Sequence, residues 1–328
     1  DSCGITYQYD ESPAGEMIRR VSKGLTAQLY SQFVTVGVQL GMVPLLIAAW
    51  GVDRYGVWLL LTAIPAYLAF SDFGFTFIAK NDMAMRVSGD DRDGALETFQ
   101  SILVLLVLAA AVIALAALGL LTSAPLDTWF NLGAESLIDV RLVLAAQVAS
   151  ALIYQVTLLC FAGVRCEGRP ATETVMAASF RLLEALAVVV AALSGSGLVA
   201  AAAAGLAART VTLAGLLIWL RHTTPWLEIG WGRATRARLK ALAGPSFTYM
   251  LVPLSNAALI QGPIVVLGAV ASPAAIALFS VTRTVARLGM SGANMLNFAF
   301  TPEYSFAYGR RDRPAFTRLL KIHFVLML

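Results

Sequence analysis

Residues 102–121 read ILVLLVLAAAVIALAALGLL, 20 consecutive apolar positions without a charge. As an α-helix such a run is ~30 Å long, the thickness of the hydrocarbon core of a bilayer. The pattern recurs along the chain. Spans are read near Leu29–Trp50, Tyr55–Ile78, Ile102–Leu121, Leu142–Val164, Val175–Leu193, Leu198–Leu220, Phe247–Val270 and Ala274–Phe300, and another opens at about Leu319. The sequence therefore predicts an all-α polytopic membrane protein with eight complete spans and the start of a ninth.

Composition agrees. Of 328 residues, 58% are hydrophobic and 13% charged, where a soluble domain carries about 25% charge. The charges cluster between the spans instead of being spread over a water-facing surface. No disulfide framework or CxxC pair is formed by Cys3, Cys160 and Cys166, and Cys160 reads as a small buried hydrophobe. His222 and His323 lie far apart, so no metal-ligating or catalytic cluster is legible. The net charge of +4 belongs to basic loops rather than to nucleic-acid binding.

Lys and Arg set the orientation. One set of loops holds Arg19, Arg20, Lys23, Lys80, Arg86, Arg92, Arg165, Arg169, Arg221, Arg233, Arg236, Arg238, Lys240, Arg310, Arg311, Arg313, Arg318 and Lys321. The opposite set holds Arg54 and Arg141, a ratio of 18 to 2. By the positive-inside rule the N-terminus is expected in the cytoplasm.

Four segments follow. Residues 1–16 are polar and acidic and read as a non-native or disordered tail, with Met17 as the native start. Residues 17–220 read as a six-helix bundle. Residues 221–243 read as a cytoplasmic or interfacial linker, its aromatics (Trp226, Trp231) at headgroup level and its arginines toward anionic lipid, or as an ordinary solvated loop. Residues 244–328 read as the start of a second bundle, broken off inside an apolar run. A loose repeat supports this division: Gln39, Pro44 and Trp50-Gly51 in the first span echo Gln261, Pro263 and Val270-Ala271 in the seventh. Paired interrupted helices of this kind mark substrate paths in transporters.

The informative charges lie inside spans. Arg209 is near the middle of the sixth. Arg283 and Arg287 are near the middle of the eighth, four residues apart and so on one helical face. Arg181 and Glu184 lie in the fifth, and Asp72 in the inner third of the second. Each midplane arginine costs ~2.5–3.5 kcal/mol if it faces lipid, so these must meet a wet cavity or a partner. One reading neutralises them with Asp72 and Glu184, with Glu184 best placed to pair with Arg181 at i,i+3. The other leaves a positive excess along a path for an anionic substrate, which the planar arginine fork grips well. For Asp72 an interfacial position near a helix end is the plainer reading. Adding in-span amides, the candidate substrate-binding residues are Arg283, Arg287, Arg209, Asp72, Gln39, Asn256, Gln261 and Asn294. No cofactor is expected. The coupling ion, H+ or Na+, stays open.

Several segments resemble a known family. They are Leu45-Leu46-Ile47 through Gly51 to Tyr55-Gly56-Val57-Trp58, the step Asp72-Phe73-Gly74, the stretch Phe279-Ser280-Val281-Thr282-Arg283-Thr284-Val285-Ala286-Arg287-Leu288, and Pro302-Glu303. They look like the polysaccharide biosynthesis exporters of the O-antigen flippase type, within the multidrug/oligosaccharidyl-lipid/polysaccharide (MOP) exporter superfamily. The resemblance runs from about Met17 to the end. It implies a MATE-like fold, in which two six-helix bundles face each other across a central cavity and rock between inward- and outward-open states. It implies a bacterial inner-membrane location, other polysaccharide assembly proteins as partners, and an undecaprenyl-diphosphate-linked oligosaccharide as cargo. Arg283 and Arg287 would then hold the diphosphate or an acidic sugar.

Two rivals stand beside this reading. A multidrug and toxin extrusion (MATE) transporter shares the fold but favours acidic residues in its cavity, against the arginine excess here. A membrane enzyme of polyprenyl-linked glycan assembly needs carboxylates or histidines at a membrane face. The outer loops offer Asp127, Glu135 and Asp139.

Overall fold

The computed structural model describes residues 13–66, 68, 71–123, 136–251, 255 and 296–327. Every regular element among them is a helix. In chain order these are α1 (Pro13–Ala66), α2 (Phe75–Ser88), α3 (Arg92–Ser123), α4 (Leu137–Cys166), α5 (Pro170–Leu193), α6 (Leu198–Thr223), α7 (236–251), α8 (296–309) and α9 (Arg313–Met327). The segments Val21–Gly51, Arg92–Ser123, Leu137–Cys166, Pro170–Leu193 and Leu198–Thr223 are each long and apolar enough to cross a membrane. They carry the predicted first, third, fourth, fifth and sixth spans. Most of the predicted seventh and eighth spans lies outside the described residues.

Two helical arms make up α1, meeting at Gly51, whose φ of 77° and ψ of 169° break the helical path. Only glycine adopts that conformation without steric cost. The arms are pinned beside the break: the Trp50 indole N–H donates to the Ser196 carbonyl at 3.2 Å, and the Trp50 and Trp58 rings lie 5.4 Å apart.

The predicted second span, Tyr55–Ile78, is not one helix. The second arm of α1 ends at Ala66, residues 71–74 form a turn, and α2 starts afresh at Phe75. Phe73 (φ 48°) and Gly74 (φ 79°) both lie in the left-handed region, which a continuous helix cannot contain. The sign in the sequence was Ser71, Asp72 and Gly74, which interrupt the apolar run but were read as part of one span.

Packing among the first six helices runs α1 on α4 and α5, α6 on α4 and α5, and α2 and α3 on each other and on α4. Two apolar cores result. One gathers Met83, Phe99, Ile102, Leu159, Phe161, Leu216 and Leu220; the other gathers Leu46, Trp58, Leu61, Val143, Leu144, Val188 and Ala201. Along α4 the second core uses 140–144 and the first 159–166; along α6 they use 198–202 and 216–220. The cores thus sit at opposite ends of the bundle and leave its mid-height free. On α3, Val107, Leu108, Val112, Leu115 and Leu118 stay largely exposed, a stripe suited to lipid and costly in water.

The basic loops converge at one end. Lys80 and Arg165 both reach the buried Glu173, at 2.8 and 2.6 Å. Asp82 pairs with Arg86 at 3.0 Å and with Arg238, and Asp93 pairs with Arg233. The linker is therefore clasped onto the bundle. Gln100 accepts the Arg233 backbone N–H at 2.7 Å and donates to the Glu228 carbonyl at 3.0 Å. Thr235 is held by Ser101 and Glu97, and the Trp226 indole donates to Glu167 at 3.0 Å. Among the linker's basic side chains, Arg233 and Arg238 are paired with acids of the bundle, while Arg221, Arg236 and Lys240 stay exposed. The reason lies in α3, which begins ten residues before its predicted span and presents buried Thr98, Gln100 and Ser101 as a polar seat.

Candidate functional site

At mid-height, between the two cores, lies a cavity of about 670 Å³ walled by α1, α4, α5 and α6. Val38, Met42, Leu46, Trp58, Ala185 and Val188 form much of its apolar wall. Its polar groups are Tyr55, Thr62, Gln147, Ser150, Tyr154, Arg181, Glu184 and Arg209.

Arg209 organises the polar side. Its Nε lies 2.7 Å from Glu184 Oε2, and an Nη1 hydrogen is donated to the Ser150 carbonyl at 2.9 Å. The Nε–Glu184 contact is a close charge pairing without hydrogen-bond alignment. The guanidinium lies over the Tyr154 ring, 4.9 Å from its centroid, in a cation–π contact. Arg181 donates instead to Thr35 Oγ1 at 2.5 Å. The expected pairing of Glu184 with Arg181, one turn away, is thus replaced by pairing with Arg209 of α6. Helix packing decided this, because α5 and α6 press together where Gly205 leaves room beside Val188 and Glu184. Two guanidiniums and one carboxylate line the cavity, so its formal charge is positive.

Other candidates are placed as follows. Asp72 lies in the turn before α2, where its Oδ1 accepts the Gly74 N–H at 3.2 Å and its Oδ2 the Thr76 N–H at 3.1 Å. Those contacts satisfy backbone donors at a helix start, a capping role. It does not line the cavity around Arg209. Gln39 lies on the first arm of α1. Asn256, Gln261, Arg283, Arg287 and Asn294 lie outside the described residues.

Gln147 and Tyr154 were missed by the sequence reading. Seven residues apart, they share one face of α4. The available signal was a pair of hydrogen-bonding side chains at helical spacing inside the predicted fourth span. Gln155, next to Tyr154, is engaged elsewhere: it donates to the Leu68 carbonyl and to Ser71, each at 2.6 Å, and so braces the break before α2.

The fold has solved counterparts. A MATE multidrug transporter, DinF-BH, superposes with a TM-score of 0.72 at 14% identity, over 96% of this chain and 71% of that one. A MOP superfamily transporter from Pyrococcus furiosus, described as having a binding pocket of reversed polarity that suggests a different function, gives 0.65 at 18% identity over 94% and 69%. An outward-facing multidrug resistance MATE family transporter of the MOP superfamily gives 0.67 at 18% identity over 94% and 69%. No protein-family model matches the sequence, and no curated protein matches it. The chain is thus a multi-pass helical membrane protein with the MATE-like fold seen in MOP superfamily transporters.

Proposed function

We propose that the protein is an alternating-access transporter that moves an undecaprenyl-diphosphate-linked oligosaccharide from the cytoplasmic to the periplasmic leaflet of the bacterial inner membrane. No covalent bond is made or broken. The observation that carries this reading is the charge of the mid-height cavity, where Arg181 and Arg209 outnumber Glu184. A positive, partly aromatic cavity within a MATE-like fold suits an anionic, sugar-bearing cargo, with arginine as the group that grips phosphate. In this reading Arg283 and Arg287 add to the same path, joined by Gln39, Asn256, Gln261 and Asn294. The basic end faces the cytoplasm. There the exposed Arg221, Arg236, Lys240 and Trp231 of the linker meet anionic lipid. Other polysaccharide assembly proteins are partners.

A second reading, a multidrug cation antiporter, is favoured by one observation: Glu184 places a carboxylate inside the cavity beside Trp58, Tyr55 and Tyr154, a set that would receive a cation if Arg209 moved away.

The whole protein in a strain lacking its own flippase separates the two. Surface polysaccharide restored by the parent and lost with Arg209→Ala, or with Arg283→Ala combined with Arg287→Ala, supports the first reading. Normal polysaccharide from well-expressed variants of both kinds sinks it. Proton-dependent efflux of a cationic dye that Glu184→Gln abolishes establishes the second.

A further inference from the structure

At the basic end, α2 of the first bundle and α8, far along the chain, meet through glycine. A methyl group built on Gly309 would overlap the Met85 carbonyl oxygen and Ser88 Oγ. One built on Gly89 would lie 3.0 Å from the Gly309 carbonyl oxygen. Neither position needs glycine for its own conformation. Gly309 is helical, and Gly89 has a φ of −100°. Alanine in the helix at 309 would be locally favoured. What forbids a side chain there is the other element's backbone, which cannot swing aside as a flexible side chain would.

The contact is continued by neighbouring residues. Gly24 of α1 lies against Ala299 of α8, and Phe300 and Ala307 pack with Val21 and Leu319. On α7, Phe247 stacks on Phe73 and Tyr249 on Phe77. Beside the glycines is a polar cavity of about 280 Å³ bounded by Ser88, Arg92, Cys166 and Glu167 on one side and by Phe306 and Arg310 on the other. Cys166 is only 6% exposed in its wall.

We propose that Gly89 and Gly309 are positioning residues of a seal: they let α2 and α8 meet backbone to backbone and so hold the basic end shut in one state of the transport cycle. Helices that approach this closely do so only through small residues, and packed interfaces switch between discrete arrangements instead of deforming smoothly. A methyl group on Gly309 penalises this arrangement alone and shifts the population toward one in which the basic end is open. When α8 leaves α2, the wall holding Cys166 is uncovered. The geometry stands independently of the cargo; the link to transport rests on the transporter reading above.

The test uses the whole protein with Cys3→Ser and Cys160→Ala, leaving Cys166 as the thiol of this chain, and follows its alkylation by N-ethylmaleimide in membranes. Gly309→Ala is expected to speed Cys166 labelling by about tenfold, the shift produced by a modest overpacking penalty, and to abolish transport. Gly89→Ala, the gentler intrusion, gives a smaller change in the same direction and carries the test if Gly309→Ala does not yield monodisperse protein. Gly119→Ala, with open space around its methyl position, should match the parent. Parental labelling in the folded glycine variants overturns the seal, whether or not transport is lost. Faster labelling with transport intact overturns its part in the cycle. If even the parent moves no saccharide, the labelling arm still decides the seal while the cargo assignment fails.

Discussion

Arg209 shows how a single residue is made tolerable inside a membrane. Its charge is met by Glu184, one of its hydrogens by a backbone carbonyl and its face by Tyr154, so two neighbouring helices, α4 and α5, share one guanidinium. Arg209→Ala removes all three contacts and leaves Glu184 facing the cavity unpaired. Both side chains keep about a quarter of their exposure, so the cost should fall below that of a fully buried pair, at about 1–3 kcal/mol. A lowered melting temperature in detergent checks it. Arg209→Lys keeps the charge but loses the fork and the ring stack, and under the proposed function should recover little transport. Asp72 allows a sharper test. As a cap, it should tolerate Asp72→Asn, which keeps an acceptor oxygen, while Asp72→Ala costs about 1 kcal/mol. Transport lost with Asp72→Asn at unchanged melting temperature would instead assign it a role in the pathway.

Among the elements, α3 and the linker behave as one unit. Gln100 is 3% exposed and holds both a backbone N–H and a carbonyl of the linker. Gln100→Ala leaves both unmade, at about 1–3 kcal/mol, and should speed tryptic cleavage after Arg233 and Arg236. Unchanged cleavage would mean that the clasp does not hold the linker in solution. The start of α3 has a pH signature. The Gly94 N–H, and then Arg86, hold the Asp91 carboxyl below the usual carboxylate range. A group depressed on folding stabilises fully above its unfolded value and loses that contribution as pH falls through the folded one. The acid limb of thermal stability should therefore weaken in Asp91→Asn, read as a flatter melting-temperature profile below the ordinary carboxylate range.

For the whole molecule, the feature of consequence is the gathering of α7, α8 and α9 against α1 and α2 at the basic end. It involves aromatic stacks, a small apolar core and the glycine contact. Contacts of this kind are surface-to-surface, and so can be exchanged for others at modest cost. Phe77→Ala removes the ring stacked 3.8 Å from Tyr249. It should loosen the seal and raise Cys166 labelling less than Gly309→Ala does, with the first bundle's own melting little changed.

The sequence by itself determined the class of molecule. Runs such as 102–121 are too long and apolar for any setting but a bilayer, and an all-helical fold follows, because helices satisfy their own backbone where no water is present. The gathering of basic loops at one end was also legible, since it depends only on which loops alternate. The break at 71–74 was not read, because Ser71, Asp72 and Gly74 are too brief an interruption for span length and hydropathy to register, and the left-handed backbone at Phe73 is not encoded in residue type. Nor was the partner of Arg209. Spacing along one helix favoured Glu184 with Arg181, and the packing of α5 on α6 overruled it. The linker was read from its own composition, while its place was set by buried polar groups at the start of α3 that look like loop in isolation. Gly309 and Gly89 were unremarked in the sequence. Glycine at an ordinary backbone angle acquires meaning only from the atoms that press against it, and those belong to another part of the chain.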